Sequence, residues 1–342
     1  MERTIIYVDN FLTGSGHTPT TGATLVKLFK QEGYNVIKTS SKENKALRLA
    51  DMLFTIIKNR KNATVLIATY STSAFYFACT CGFICRLFNV PYIPCLHGGN
   101  LPARIKNSPK LSQSYFGKSY MNVAVSAYLM QSMDANNWKC IEIPNNINLA
   151  DYPFKSRKNI NPAILWVRSF HEIYNPTLAL KVIKKLSTTI PNVTLTMVGP
   201  DKDGSLNTCK ELVKQLEIED KVIFTGLLSR QEWTQIAATH DIFINTTNFD
   251  NLPVSVVEAM ALGMIVISTR VGGVPFLVDE NTNGILVNPN DEAAFVKAIQ
   301  EVLSNVSMAS ALSPEARKKA EKYDWNNIKI LWRELLNNIT NN

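Results

Sequence analysis

Short runs of apolar residues alternate along the chain with longer segments in which apolar residues recur every three or four positions. The run TIIYV at residues 4–8 precedes an amphipathic segment at 24–33, and ATVLIAT at 63–69 precedes an apolar segment that follows a polar turn. Short apolar runs are typical of buried strands, and a period of 3.6 is typical of helices. The alternation predicts a parallel sheet with helices on both faces, an α/β fold.

The same alternation starts again in the second half of the chain. Apolar runs such as AILWV, TLTMV and IVIST are again separated by helical segments. Between the halves, DYPFKSRKNINP carries two prolines and no apolar period. We predict two doubly wound domains, residues 1–155 and 156–325, as the length of 342 residues also favours. A late amphipathic helix at 326–342 is expected to pack back on the first domain, with a stripe formed by Trp325, Ile328, Leu331, Trp332 and Leu335.

The two halves of the chain differ in net charge. Residues 1–155 hold 17 Lys and Arg and 8 Asp and Glu, whereas residues 156–342 hold 19 and 20. The whole net charge of +8 therefore belongs to the first half. A basic half predicts an anionic partner, either nucleic acid, an acidic membrane surface or a phosphorylated substrate.

Six cysteines favour a reducing compartment over a metal site. Four of them lie within residues 79–95 in an apolar setting without His at zinc spacing. We predict buried free thiols and a cytoplasmic protein, since the N-terminus lacks the pattern of an export signal. Residues 63–85 carry no charge, yet their Ser and Thr residues favour a strand and a buried helix over a membrane span of about 20 apolar residues.

The strongest candidate chemistry follows the apolar run DIFINTT at residues 241–247. Ligands of open α/β sheets bind beyond the carboxyl ends of strands. Pro253 suits the first turn of a helix, so the N–H groups of Asn251, Leu252 and Val254 are expected to be free to bind an anion. Glu258, a little over one turn further, can accept two hydrogen bonds from a cis-diol such as ribose.

Two neighbouring features complete this segment. Asp250 lies on the loop eight residues before Glu258 and is expected to contact a sugar hydroxyl. Gly272 and Gly273 follow the next apolar run, where a turn without side chains lets the main chain approach a ligand.

These residues resemble a known family. The spacing of Asp250 and Glu258, followed by AMA-x-G and VIST-x-VGGVP, resembles the retaining glycosyltransferases of family 4. The resemblance covers most of residues 90–340 and is strongest over 241–290. It implies the GT-B fold, two Rossmann-like doubly wound domains facing a central cleft, in which the C-terminal domain binds the nucleotide sugar. The family usually has Glu where this chain has Asp250.

Other segments match the family at single residues. His97, at the end of NVPYIPCLH, corresponds to a cleft histidine that orients the sugar or the acceptor. Arg168 corresponds to the arginine that binds the donor diphosphate. Asn175 stands where the family has lysine, which leaves Asn175, Lys202 or the helix N-terminus to replace the missing cation. Weaker candidates lie in VAVSAYL, in PNNIN and in a Gly-rich loop: Ser126, Asn145, Gly14, Gly16 and His17.

A metal site competes with this interpretation. Asp201 and Asp203 form the D-x-D pattern with which single-sheet glycosyltransferases hold Mn²⁺ or Mg²⁺. Flanking Gly and Pro residues are typical of an ordinary turn, so we predict no metal and no cofactor. The charge of the leaving diphosphate is then expected to fall on Arg168, the helix start and the Gly272–Gly273 turn.

The resemblance implies a retaining transferase that moves a sugar from a nucleotide-diphosphate sugar to a glycan or a polyprenyl-diphosphate-linked acceptor. It points to cell-surface polysaccharide biosynthesis, such as O-antigen or capsule, at the inner face of the membrane. Lys106, Lys110 and Lys118 form a plausible contact loop for an anionic membrane. A GT-B nucleotide-sugar epimerase and a non-catalytic basic binding protein remain alternatives. Nucleic acid is not expected as the partner, since the chain lacks interleaved aromatics and a known binding module.

Overall fold

The computed structural model describes residues 3–12 and 20–340, and the chain divides into two compact units. The first unit comprises residues 1–145 together with 329–342, and the second comprises residues 146–328. Residues 146–155 belong to the second unit because they contact it directly: Ile147 forms a β-bridge with Asp324, and the Tyr152 hydroxyl donates to Glu258.

In the described part of the first unit, six parallel strands form one sheet in the order β2-β1-β3-β4-β5-β6. The strands are β1 (Thr4–Val8), β2 (Val36–Thr39), β3 (Ala63–Thr69), β4 (Tyr92–Leu96), β5 (Asn122–Ala124) and β6 (Cys140–Glu142). The chain runs one way from β1 and the other way from β3, so the order reverses between them. A crevice opens at the carboxyl ends of strands at such a point.

The helices of the first unit cover both faces of this sheet, as the sequence pattern predicts. They are α1 (Thr21–Gln31), α2 (Lys45–Lys58), α3 (Ala74–Leu87), α4 (Leu101–Asn107), α5 (Pro109–Phe116) and α6 (Ala127–Asp134). Every residue of β3 is buried, as expected for a parallel strand covered on both sides. The uncharged stretch is therefore a strand and a helix. No helix among the described residues is long and apolar enough to cross a membrane.

The clustered cysteines are buried thiols. Cys79, Cys81, Cys85 and Cys95 are all free and buried. Burial raises the pKa of Cys79 and Cys85 to about 12, although Arg86 opposes the shift. At neutral pH these groups are thiols rather than reactive thiolates, which agrees with a packing role.

The described residues of the second unit form another six-stranded parallel sheet, in the order β12-β11-β10-β7-β8-β9. The strands are β7 (Ala163–Val167), β8 (Thr194–Val198), β9 (Val222–Gly226), β10 (Ile242–Asn245), β11 (Ile265–Thr269) and β12 (Ile285–Val287). Here the strand order reverses between β7 and β10. The prediction of two doubly wound α/β sheets is confirmed.

The helices of the second unit pack around a hydrophobic core that includes Trp166, Leu195, Ile265 and Phe295. They are α7 (Pro176–Ser187), α8 (Ser205–Gln215), α9 (Arg230–Ala237), α10 (Val254–Ala261), α11 (Val274–Leu277), α12 (Glu292–Ser304) and α13 (Val306–Glu321). The helix that matters most for the site is α10, which begins directly after the loop that follows β10.

The last helix, α14 (Trp325–Thr340), supplies the end of the first unit. Its Trp332 ring packs edge-on against Phe29 of α1 with 5.4 Å between centroids, and Lys329 lies 3.1 Å from Glu32. The stripe predicted from the sequence was wrong at Leu331, which is 37% exposed. Leu331 precedes Trp332 by one residue, about 100° around the helix, and Ile339 continues the buried stripe instead.

A buried ion pair ties the segment after residue 155 to the second sheet. Asp241, just before β10, lies 3.1 Å from the Arg157 guanidinium, and both side chains are 1% exposed. Its other carboxylate oxygen accepts hydrogen bonds from the main chain and the side-chain amide of Asn161. Removing one partner of such a pair leaves a buried charge without compensation.

We therefore expect Asp241→Ala to lower the free energy of unfolding of the second unit by about 3–5 kcal/mol, measured by urea denaturation. As a matched control, Glu292→Ala removes an exposed pair with Lys185 and should cost less than about 1 kcal/mol. Adding Arg157→Met to Asp241→Ala should restore part of the loss. A loss below 1 kcal/mol for Asp241→Ala would contradict the structural role of the pair.

Candidate functional site

The crevice of the second unit brings together the residues at the carboxyl ends of β7 and β10. Arg168 follows β7 and forms an ion pair with Asp250 on the loop after β10, and both side chains are 15% exposed. The guanidinium also lies 4.6 Å from the centroid of the Tyr174 ring. Burial lowers the pKa of Arg168, whereas Tyr174 and Glu258 oppose this shift. A buried guanidinium of this kind is a strong binding group for a diphosphate.

Buried hydroxyl groups fix the loops that carry these side chains. The Trp166 indole N–H donates to Thr246 Oγ1 at 3.0 Å, and that hydroxyl donates to the carbonyl of Tyr174 at 2.9 Å. The Thr269 hydroxyl donates to the carbonyl of Thr247 at 2.5 Å. The loop after β10 is thus bonded to its neighbours on both sides, which positions Asp250.

The two glycines after β11 allow the main chains of two loops to meet. The Gly273 N–H donates to the Asp250 carbonyl at 3.0 Å, and Gly272 has φ of +51°. A Cβ on Gly272 would overlap the Asp250 carbonyl oxygen, and one on Gly273 would overlap that of Asn251. The glycine pair is therefore required for this close approach, whether or not it also contacts a ligand.

The start of α10 offers hydrogen-bond donors in the same crevice. Within the described residues, no main-chain acceptor takes the N–H groups of Leu252, Val254 or Ser255. The Asn251 N–H differs, because it donates to Asp250 Oδ1 at 2.7 Å. Buried Ser255 Oγ has no hydrogen-bond partner among the described residues, a donor that the sequence did not single out. Pro253 lies at the N-cap of α10 and supplies no side-chain cap, so these donors remain open at the helix start, the arrangement that suits an anion.

Glu258 lies on α10 and is nearly buried. The Tyr152 hydroxyl donates to its Oε1 at 2.5 Å, and Arg230 Nε lies 3.9 Å from the same oxygen. Burial raises the pKa of Glu258, and Tyr152, Arg230 and Arg168 oppose the shift. Since both of these contacts fall on Oε1, Oε2 is left to accept hydrogen bonds from a ligand such as a diol.

The position of the family's lysine holds no cation. Asn175 has φ of +47° before α7, and its side-chain amide donates to Asn290 at 2.7 Å. Lys202 is exposed in the turn after β8. Arg168 is thus the buried cation of this crevice, and the helix start supplies uncharged donors beside it.

The carboxylates of the D-x-D pattern are occupied by the turn itself. Asp201 accepts a hydrogen bond from the Gly204 N–H at 3.0 Å, and Asp203 accepts one from the Ser205 N–H at 3.0 Å. They thereby satisfy donors at the start of α8. Among the described residues, no group of three or more His, Cys, Asp or Glu is arranged to hold a metal ion.

In the first unit, His97 lies at the carboxyl end of β4, the strand next to β3. It follows β4, its N–H donates to the Thr69 carbonyl at 3.0 Å, and its Nε2 lies 3.4 Å from the Tyr7 hydroxyl. Burial lowers the pKa of His97, although Asp9 opposes the shift, so the imidazole is neutral at pH 7. Its buried Nδ1 has no hydrogen-bond partner among the described residues. The group is therefore suited to bind a polar ligand atom.

The weaker candidates divide into two groups. Ser126 caps α6 by accepting a hydrogen bond from the Leu129 N–H at 3.4 Å, and Asn145 lies half-buried in the loop after β6. The other candidates, Gly14, Gly16 and His17, lie outside the described residues.

Sequence reasoning missed four side chains in the second crevice: Tyr152, Tyr174, Arg230 and Ser255. Tyr152 and Arg230 lie 106 and 28 residues before Glu258, in a linker and at the first residue of α9, and carry no local signal of a site. Ser255 lies directly after Pro253 and Val254, where its hydroxyl beside a helix start could have been noticed.

Comparisons with known proteins place these residues in a family. Residues 150–319 match the family described as glycosyl transferases group 1. The sulfoquinovosyl transferase of Arabidopsis thaliana is 29% identical over 150 residues, which is 43% of this chain and 28% of that protein. The chain thus spans less than a third of the length of this curated relative.

Solved structures resemble the chain over nearly its whole length. The sucrose-phosphate synthase of Thermosynechococcus elongatus matches with a TM-score of 0.82 at 16% identity, over 99% of both chains. HepE of Anabaena, solved with UDP and glucose, matches with a TM-score of 0.78 at 17% identity, over 98% of this chain and 100% of that one. These likenesses show that the fold is GT-B. Through residues 150–319, the chain belongs to the glycosyl transferases group 1.

Proposed function

We propose that the protein transfers a sugar from a nucleotide-diphosphate sugar to a glycan or a polyprenyl-diphosphate-linked acceptor. The observation that carries the proposal is the crevice of the second unit. There, one buried guanidinium, Arg168, lies beside the open N–H groups at the start of α10, and Glu258 follows on the same helix. Cationic and neutral donors suit a diphosphate, and an acceptor-only carboxylate suits the hydroxyls of a ribose.

Each group has a distinct role in donor binding. The diphosphate is held by Arg168 and by the N–H groups of Leu252 and Val254, and the Ser255 hydroxyl can donate to the same oxygens. The ribose hydroxyls donate to Glu258, whose Oε1 Tyr152 already holds in place. The separation of an anion site from a carboxylate fixes the direction in which the nucleotide binds, because the carboxylate repels phosphate.

Departure of the diphosphate is the step that these donors assist. As the bond to the anomeric carbon breaks, negative charge grows on the leaving oxygen, and fixed donors stabilise it without reorganising. Asp250 neutralises Arg168 through their ion pair. A diphosphate that binds Arg168 displaces this partner and frees the Asp250 carboxylate for a sugar hydroxyl. We infer that the reaction retains the anomeric configuration and that His97 orients the acceptor or the sugar.

The setting follows from the charge of the first unit. A basic surface that includes Lys106, Lys110 and Lys118 fits an anionic membrane at the cytoplasmic face, where cell-surface polysaccharides are assembled on lipid carriers. The complex of HepE with UDP and glucose makes uridine nucleotides the first probes to use.

A thermal-shift screen with UDP, GDP, ADP and their sugar conjugates tests the donor class. The matching nucleotide at 100 times its Kd should add about 2.7 kcal/mol of stability, because it binds only the folded chain. The corresponding nucleoside should give a much smaller shift, since it lacks the diphosphate. Absence of a shift with every nucleotide would refute the proposed function.

Glu258→Ala should weaken binding of the matching nucleotide by about 1.5–3 kcal/mol, because the ribose loses a charged hydrogen-bond partner. Calorimetric titration measures the effect. Glu301→Ala changes an exposed carboxylate of α12 and should leave the affinity unaltered. Equal nucleotide affinity in wild type and Glu258→Ala would defeat the assignment of Glu258 to the ribose.

The affinity should also depend on pH through Glu258. Burial raises the pKa of this carboxyl, so it takes up a proton at a higher pH than an ordinary glutamate. The ionised form is the better acceptor, and affinity should therefore be full above the raised pKa and fall as the pH drops through it. In Glu258→Gln the affinity should depend less on pH, because glutamine does not titrate. Any pH dependence that remains in this variant then belongs to protonation of the nucleotide. A pH profile identical in the two proteins would argue against the role of Glu258.

Transfer should not require a divalent metal, since the carboxylates of Asp201 and Asp203 serve the turn before α8. We expect the initial rate with excess EDTA to equal the rate with added Mg²⁺ or Mn²⁺. Asp203→Asn should likewise retain activity. Loss of activity in EDTA with recovery on adding Mn²⁺ would reverse this expectation.

A further inference from the structure

The outer side of α2 and α3 in the first unit exposes large apolar side chains that the core does not use. Phe54 on α2 is 64% exposed and Phe83 on α3 is 55% exposed. Together with their exposed neighbours they form what we call the aromatic face: Leu47, Phe54, Tyr76, Phe83, Leu87 and Phe88. Exposed apolar side chains grouped in this way mark an interaction site rather than the scattered apolar residues of any surface.

The helical period places these side chains on one surface. Tyr76, Phe83 and Leu87 are spaced by seven and four residues, so they form one stripe of α3. Leu47 and Phe54 are likewise seven residues apart on α2, which packs against α3. The opposite sides of both helices are buried, with Phe75 among the residues that supply the core.

Basic groups accompany the aromatic rings. The Lys58 ammonium lies 5.9 Å from the Phe54 ring centroid, and the Arg60 guanidinium lies 5.2 Å from that of Phe88. The Arg86 guanidinium lies 5.8 Å from the Phe83 centroid. Arg60 follows α2 and Phe88 follows α3, so this contact joins the two helices at their ends.

The charge of the face has one sign. Residues 45–61 and 74–88 carry six Lys and Arg, of which Arg48 is buried, and a single acid, Asp51. The Asp51 carboxylate accepts a hydrogen bond from the Thr39 hydroxyl at 3.2 Å, toward β2. The aromatic face is therefore apolar at its centre and cationic at its edges.

We propose that the aromatic face docks on the headgroup region of an anionic lipid bilayer. Aromatic side chains favour the interface between water and lipid, and lysine and arginine are attracted to anionic headgroups. A second copy of the chain fits less well, because a two-fold contact would bring cationic edges of the same sign together. The four aromatic rings would suit a nucleic acid as well, whereas aliphatic Leu47 and Leu87 offer no ring on which a base stacks and gain only from an apolar partner.

The aromatic face is a location for the membrane contact that the proposed function includes. Its binding to lipid is independent of sugar transfer, but its biological role at the membrane rests on the proposed function. Lys106 lies on α4, Lys110 on α5 and Lys118 just after α5, so the segment expected from the sequence to be a loop is largely helical. It differs from the aromatic face, and the two locations can be tested against each other. Lipid binding needs no donor, and donor binding occurs in the second unit. Failure of one proposal is therefore distinguishable from failure of the other.

The experiment is cosedimentation with vesicles of phosphatidylcholine alone or mixed with phosphatidylglycerol. Wild type should bind the anionic vesicles at low salt. The affinity of the triple variant Phe54→Ser, Phe83→Ser, Leu87→Ser for these vesicles should be lower by at least about tenfold. The charge variant Lys58→Gln, Arg60→Gln, Lys61→Gln should bind the anionic vesicles weakly even at low salt. Its loss should match the loss that wild type shows at high salt, because salt screens the same charges. The matched control Ile223→Ser, Leu227→Ser removes exposed apolar side chains from the second unit and should bind like wild type.

The unfolding temperature of each variant without ligand checks that it is folded, and a nucleotide-induced thermal shift checks separately that its donor site is intact. The proposal is overturned if wild type binds neither vesicle or binds both equally. It is also overturned if the serine triple variant binds like wild type, or if Lys106→Glu, Lys110→Glu, Lys118→Glu abolishes binding while the serine variant does not. A wild-type dimer that becomes monomeric in the serine variant, without loss of lipid binding, would assign the face to a second copy. Binding to single-stranded nucleic acid in place of vesicles would assign it to that partner.

Discussion

The candidate site of the second unit is built around one guanidinium, that of Arg168, which is 15% exposed and so largely shielded from water. A charge in such a place must be compensated, and here Asp250 and the face of the Tyr174 ring compensate it. Both groups belong to loops, which are ordinarily mobile. The buried threonine hydroxyls and the glycine contact after β11 hold these loops to the strands. The ion pair is thus maintained by hydrogen bonds to the main chain of the two loops, in addition to the contact between the charged groups.

The replacement of a lysine by Asn175 changes the electrostatics of this crevice. A pair of cations would attract a diphosphate strongly in its ground state, whereas one cation beside neutral N–H donors attracts it less. Fixed neutral donors still stabilise charge that develops on a leaving oxygen. Asn175 instead ties the start of α7 to Asn290 through its amide. The substitution exchanges a charge for a loop contact at the same position in the fold.

Local sequence patterns predicted the fold, and they singled out a segment whose residues the structure brings to one crevice, whereas long-range contacts were beyond them. The apolar pattern of a strand or a helix repeats within a few residues, so the strands of both sheets could be recognised from runs of about five residues. Pro253, Glu258, Gly272 and Gly273 lie within 21 positions of one another, and their relation to one helix start is a local matter.

The partners of Glu258 and Arg168 could not be predicted in the same way. The Tyr152 hydroxyl reaches Glu258 across 106 positions, and only the packed unit brings them together. Nor does the sequence show that Asp250 pairs with Arg168 rather than remaining open to a ligand, because either state satisfies the same carboxylate. On α14, the pattern assigned Leu331 to the buried stripe because leucine favours burial, and the geometry of the helix decided otherwise.

The path of the chain through the two units has a consequence for how the protein folds as it is made. The second unit is continuous in sequence, from residue 146 to residue 328, whereas the first needs residues 329–342 to be complete. Phe29 of α1 therefore cannot contact Trp332, and Glu32 cannot pair with Lys329, until the segment between them and α14 itself have left the ribosome. Domains made first usually fold first, but here the unit that begins synthesis is the last to close its core. During that interval the side of α1 that carries Phe29 and Glu32 lacks its contacts with α14.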